Sequence, residues 1–331
     1  VFWLVWWAWT QYTWALNAAD TTHPAVQLGT LVATAVAFFM AVALPGAFGG
    51  GALWFAIPYV LVRTIGLALY IRVAWVADPS QHAAVRSFAV LSIGGLVAVV
   101  GGAMAGGTTL YWLWGMAILL DVIAALAAAE SEHWNLHPEH FAERHGLFVI
   151  IALGESLIVA GGGLAGTAIS PLILTLGALA VGTTCALWWS YFACAKYGLD
   201  HALEAAEGAA RAKLARDAFS LFHFPLVLGV IGVAAAVEEA VLHPSDPLDF
   251  ANRAALGVGI LLFTGSTGLA LWRATGRSPL LRFGLALATA AAVVLVGGLA
   301  PVATLGIAFA GVGLLAGVEH RAHLPVATLD L

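Results

Sequence analysis

GLFVIIALGESLIVAGGGLAG, residues Gly146 to Gly166, is apolar except for Glu155 and Ser156. A hydrocarbon core of about 30 Å takes about 20 such residues in a helix, so the run reads as one membrane crossing. It starts just after Glu143-Arg144-His145 and places Glu155 near mid-span. A carboxylate at that depth costs at least about 2.5 kcal/mol on insertion scales. It is therefore kept for a function or cancelled by a partner. Arg63, in the middle of WFAIPYVLVRTIGLALY, offers itself as that partner, and Asp121, in GMAILLDVIAALAAAE, is a second mid-span carboxylate.

The whole chain has the same character. Of 331 residues, 62% are hydrophobic and 9% charged, a balance that excludes a soluble globular chain. Apolar segments lie at roughly 1–16, 25–45, 52–76, 84–105, 108–129, 146–166, 170–195, 218–240, 253–272, 279–297 and 300–318. The expected fold class is an all-α, polytopic transmembrane bundle of about 11 helices, with the lipid bilayer as its surroundings. Lys and Arg close to short loops stay on the cytoplasmic side. After odd-numbered segments come Arg72, Arg86, Arg144, Lys196, Arg211, Lys213, Arg216, Arg273, Arg277, Arg282 and Arg321; after even-numbered ones comes Arg253 alone. That asymmetry predicts a multi-pass protein of the bacterial inner membrane with a cytoplasmic C-terminus.

An internal repeat organises the segments. Leu4-Val5-Trp6-Trp7-Ala8-Trp9 aligns with Ala186-Leu187-Trp188-Trp189-Ser190-Tyr191, and Gly66-Leu67-Ala68-Leu69-Tyr70 with Gly268-Leu269-Ala270-Leu271-Trp272. Arg86, Val97, Val100, Gly101 and Gly102 match Arg282, Val293, Val296, Gly297 and Gly298 at one constant offset. The reading is two parallel six-helix units, the first lacking its first helix. It divides the chain into a first repeat over 1–129, a cytoplasmic His/Glu-rich loop over 130–145, a second repeat over 146–318 with a cytoplasmic insertion at 196–217, and a cytoplasmic tail over 319–331.

Arg63 is too deep to snorkel and should face the bundle interior with Asp121 and Glu155 at similar depth. One carboxylate would pair with Arg63 while the other exchanges a proton or binds a cation; the competing reading is a charge network that only fixes packing. Gly154 would let a helix or substrate approach the backbone beside Glu155. His223, in FHFPLVLG, is a candidate gate or relay, because Pro225 frees a carbonyl in that turn, against a hydrogen-bonded packing role. His133, His137, His140 and His145 crowd one loop, but Pro138 disfavours a helical His133/His137 pair and no metal is expected. Trp3, Trp7 and Trp14 share a helical face suited to an aromatic path or to packing. Gly162 with Gly166, and Gly313 with Gly317, permit close helix contacts. Cys185 and Cys194, separated by about 13.5 Å of helix rise, cannot bridge within one helix. Phosphate loops, dinucleotide fingerprints and nucleophile elbows do not occur, so no enzyme activity, cofactor or nucleic-acid partner is expected.

The run His140 to Ser156 (HFAERHGLFVIIALGES), the Trp-rich opening followed by Asn17 and Asp20, and His223-Phe224-Pro225-Leu226 together resemble the bacterial low-temperature-requirement A (LtrA) membrane proteins. The resemblance covers essentially the whole chain, and its signature residues here are Glu143, Arg144, Gly146 and Glu155. Members usually open with an apolar helix carrying an acidic Phe-Phe-Asp-Leu-like segment, which would be the helix missing from the first repeat. The resemblance implies a membrane architecture rather than a mechanism. The residues themselves point to a secondary transporter or exchanger for an unknown small ion or solute, with Glu155 and Asp121 as proton or cation sites and Arg63 as counter-ion or anion clamp. An ion channel with its pore between the repeats and a non-transporting scaffold or cold-stress factor are the alternatives, and a homo-oligomer is left open.

Overall fold

The computed structural model describes residues 1–77, 82–128, 136–164 and 168–327. Within them the chain is helical: α1 Phe2–Asn17, α2 Pro24–Ala43, α3 Ala52–Ala77, α4 His82–Ala105, α5 Gly107–Ala128, α6 Pro138–Leu164, α7 Pro171–Trp188, α8 Lys196–Ala205, α9 Gly208–Leu214, α10 His223–Leu242, α11 Phe250–Thr275, α12 Leu280–Leu295 and α13 Pro301–Ala327. No strand occurs among the described residues. Nine helical stretches there are long and apolar enough to cross a membrane. The first and tenth expected segments, α1 and α12, are helical but only 16 residues each, about 24 Å of rise.

Local chemistry marks several helix ends. Ser170 accepts from the Ile173 amide with Pro171 in the first turn of α7, and Asp249 accepts from the Asn252 amide at the start of α11. Gly276, at φ +71°, ends α11 in the left-handed conformation. Consecutive left-handed glycines, Gly106 and Gly107, turn α4 directly into α5, a conformation that a side chain would oppose. Pro58 lies inside α3, a place where membrane helices tolerate it.

Two stretches are longer than a bilayer needs. Pro171–Ala205 and Gly208–Leu242 are 35 residues each, about 52 Å at 1.5 Å per residue. Each contains a π-helical segment, Trp189–Ala195 in the first and Ala215–Leu221 in the second. Such insertions re-aim side chains and occur often at functional sites.

The chain forms two compact units. One comprises Val1–Phe141 with Ala206–Arg216, the other Ala142–Ala205 with Asp217–Leu331. In the first, α2 and α4 pack on α3, α4 packs on α5, and α1 lies on α3 and touches α5. In the second, α10 and α12 pack on α11, α12 packs on α13, and the α7–α8 stretch lies against α11 and α13. Within the units, α2 to α5 and α10 to α13 each pack on one another in chain order.

The surface is apolar and part of the interior is charged. Phe38 is 65% exposed on α2 whereas Arg63 is 0% exposed, the pattern of a chain whose outer solvent is lipid. This is an integral, multi-pass membrane protein.

Helix contact falls on other glycines than the expected pairs. Gly162, Gly313 and Gly317 face open space, and Gly166 lies outside the described residues. The close approach is α10 on α11: a Cβ on Gly229 would stand 2.5 Å from the Gly259 carbonyl oxygen, and one on Gly259 2.7 Å from the Gly229 carbonyl oxygen. Spacing in sequence does not say which helix face meets a neighbour. Gly259→Val should therefore abolish the monodisperse folded species in detergent, whereas Gly313→Ala should leave Tm unchanged or raise it slightly, since Ala is the better helix former by about 1 kcal/mol.

Candidate functional site

Four helices of the first unit converge on Arg63. Its Nη2 donates to Asp121 Oδ1 at 3.1 Å and its Nη1 reaches Asp121 Oδ2 at 3.4 Å, the two-pronged geometry that guanidinium and carboxylate planes favour. Nη1 also donates to the Tyr59 hydroxyl at 2.9 Å and Nη2 to Ser92 Oγ at 3.3 Å. Tyr59 stands one helical turn before Arg63 on α3, Ser92 comes from α4 and Asp121 from α5. From α1, Gln11 Nε2 donates to the Arg63 carbonyl and the Tyr12 hydroxyl to the Val62 carbonyl. The indole N–H groups of Trp3 and Trp7, from α1, also approach the Asp121 carboxylate. These two rings stack with centroids 5.3 Å apart, which gives the Trp-rich face a packing role beside the ion pair. Gly66 makes room for α1, since a Cβ there would meet the Tyr12 ring at 2.8 Å.

The centre holds unused hydrogen-bonding capacity. Arg63 Nε, Gln11 Oε1 and Thr10 Oγ1 are buried without a partner among the described residues. Buried groups of this kind cost stability unless something satisfies them.

Glu155 has a contrasting environment. It lies on α6 in the second unit, is exposed, and makes no hydrogen bond or ion pair shown among the described residues. The carboxylate that Arg63 holds is Asp121. Gly154 has open space where a Cβ would be, so no described neighbour uses the close approach it permits. Of the other signature residues, Glu143 is exposed, Arg144 is half-buried and Gly146 is buried. Gly146 lies against the Lys196 side chain, where a Cβ would stand 3.0 Å from its Cε, and Lys196 in turn pairs with Asp200.

Residues 1–317 match the family described as Bacterial low temperature requirement A protein (LtrA). The chain belongs to the LtrA family. It is also 30% identical over 278 residues to the uncharacterized protein RA0937 of Rhizobium meliloti (strain 1021), covering 79% of this chain and 66% of that protein. The LtrA-family chain thus spans just under two thirds of the length of this relative. No solved structure matches.

His223 of this LtrA-family chain is 1% exposed, immediately after the π-helical segment Ala215–Leu221. Its Nδ1 lies 2.8 Å from the Ala218 carbonyl, which can only accept, so Nδ1 carries the proton. In the neutral ring Nε2 then accepts from the Tyr191 hydroxyl, 2.7 Å away. Tyr191 comes from the other π-helical segment, and His145, 0% exposed, brings its ring to 5.4 Å from that of His223. His145 and His223 come from two separate stretches of the family resemblance. Of the other loop histidines, His133 lies outside the described residues. The backbone of His137 is held on both sides by Asn17, whose Oδ1 accepts from its amide and whose Nδ2 donates to its carbonyl. Among the described residues no group of His, Cys, Asp and Glu could hold a metal ion, and both cysteines are free thiols.

A second buried ion pair escaped the sequence reading. Arg282 of α12 is 4% exposed and meets the Glu319 carboxylate of α13 through Nε and Nη2, both at 2.5 Å. Nη2 also donates to the Ser190 carbonyl inside the first π-helical segment. Arg282 was counted with the cytoplasmic loop charges; its burial depends on a carboxylate 37 residues away.

Removing one member of a buried ion pair strands the other. Asp121→Ala should lower unfolding stability by about 3–5 kcal/mol, and the double variant Arg63→Met/Asp121→Leu should recover much of that loss, as read by reversible unfolding in mixed micelles. Tyr191→Phe removes the donor to His223 Nε2 and should cost about 1–3 kcal/mol in the same assay.

Proposed function

We propose that the protein is a secondary transporter or exchanger, in which Glu155 takes up and releases a proton or small cation. Arg63 and Asp121 form a fixed charge pair that orders the first unit. The observation carrying this reading is the contrast between the two mid-span carboxylates: Asp121 is buried against Arg63, while Glu155 is exposed in the middle of an apolar helix. A carboxylate in hydrocarbon has to find a proton, a cation or water, and each of these is a component of an ion pathway. Gly154 leaves space for one of them beside the carboxylate.

On this reading residues 1–129 and 146–318 are two parallel repeats in a bacterial inner membrane, with the C-terminus in the cytoplasm. The chain-order packing of α2 to α5 and of α10 to α13 supports the repeat, and the crowding of Lys and Arg in alternate connections supports the orientation. A second reading, a non-transporting scaffold, draws on the Arg63–Asp121 pair itself, which would staple four helices whether or not anything moves through the protein.

Purified protein in proteoliposomes containing a pH-sensitive dye separates the readings. Because Glu155 has no described ion-pair partner to strand, Glu155→Gln should reconstitute like the wild type. The expected result is proton flux in the wild type, driven by an imposed ion gradient, and at least about a tenfold smaller flux in Glu155→Gln, about 1.4 kcal/mol in barrier. Equal fluxes would remove Glu155 from the pathway. Absence of flux from both proteins under proton, sodium and potassium gradients would favour the scaffold.

A further inference from the structure

The second unit contains a cavity of about 960 Å³ that the reading above does not use. Its walls come from α8, from the π-helical segment before it, from α11 and its exit turn, and from the starts of α12 and the end of α13. Leu271, Ala274 and Leu281 make it mostly apolar, while Arg277 and Arg282 supply positive charge. Glu319 is the single acidic residue among the described residues of the wall, so two arginines face one glutamate.

Arg282 is the buried cation of the wall. It is 4% exposed, and although Glu319 and Ser190 engage Nε and Nη2, its Nη1 has no partner among the described residues. A buried guanidinium N–H without an acceptor is a cost that a ligand oxygen can remove. Arg277 is exposed at the rim and forms no ion pair shown among the described residues.

The surroundings specify what brings that oxygen. Tyr197 and Leu281, on the wall, are exposed at 71% and 57%, and Trp272 and Leu280, next to it in sequence, at 52% and 76%. Aromatic residues and arginines beside exposed leucines mark the level of a membrane where headgroups meet acyl chains. The volume lies within the range of pockets that enclose small-molecule ligands. We infer that this cavity is a binding site for an anionic phospholipid, its phosphate held by Arg277 and Arg282 and the start of an acyl chain lying along Leu271, Ala274 and Leu281. The site is independent of Glu155 and of ion movement.

The test uses delipidated protein in non-ionic detergent, titrated with short-chain phosphatidylglycerol, short-chain phosphatidylcholine or inorganic phosphate, and read by native mass spectrometry and Tm. Phosphatidylglycerol should bind at one per chain and raise Tm, with phosphatidylcholine at least about tenfold weaker. Arg277→Gln should weaken phosphatidylglycerol by about tenfold, through the loss of one charge-assisted contact. Ala274→Trp should obstruct the apolar wall and weaken phosphatidylglycerol at least about tenfold. Arg277 is exposed, so Arg277→Gln should keep the wild-type Tm without lipid and remain informative if Ala274→Trp misfolds. Equal binding of the two lipids, or phosphatidylglycerol binding indifferent to Arg277→Gln, overturns the inference. Inorganic phosphate binding as tightly as phosphatidylglycerol also overturns it, by assigning the pocket to a free anion.

Discussion

In hydrocarbon a peptide N–H or C=O has no water to bond, so each must be satisfied within the chain. That constraint produces the all-helical architecture and reverses the usual rules of surface and interior. Large apolar side chains such as Phe38 can stand exposed, because lipid solvates them, while Arg63 is withdrawn completely. Apolar burial cannot hold such helices together when lipid is as apolar as leucine. Close backbone contact and buried polar bonds take over, as at Gly229 with Gly259 and at Arg63 with Asp121.

The polar groups consequently differ in kind. Arg63–Asp121 and Arg282–Glu319 are each bonded between helices, and each retains one guanidinium nitrogen without a described acceptor. His223 is fixed in one neutral tautomer by Ala218 and Tyr191, whose positions follow from the π-helical segments. Glu155 has no comparable partner. A group whose hydrogen bonds are complete tends to order the fold, whereas one left open to its surroundings can change its ligand or proton. This difference assigns Glu155 to the moving part of the proposed mechanism and Asp121 to the fixed part.

Much of the site was legible, but not its connections. Arg63, Asp121 and Glu155 stood out because a charge in a long apolar run is expensive wherever the helices pack. Their pairing was not legible: depth along a helix can be counted from sequence, but the direction a side chain faces depends on its neighbours. The same gap placed the helix contacts at Gly162 and Gly313 rather than at Gly229 and Gly259. It also put Arg282 with the loop charges, although the end of α13 covers it. The π-helical segments had no proline or glycine to announce them, and each shifts the faces of the residues that follow.

The sequence by itself determined that this is an all-helical membrane protein, where its apolar segments lie, and that it resembles the LtrA family. These follow from length and hydrophobicity, which act locally and hardly depend on how helices meet. Only the tertiary structure decided that Asp121 holds Arg63, that Tyr191 holds His223, that Glu319 buries Arg282, and that Glu155 stays exposed. Such pairings require two side chains from distant segments to share depth, face and register, and packing alone sets the last two.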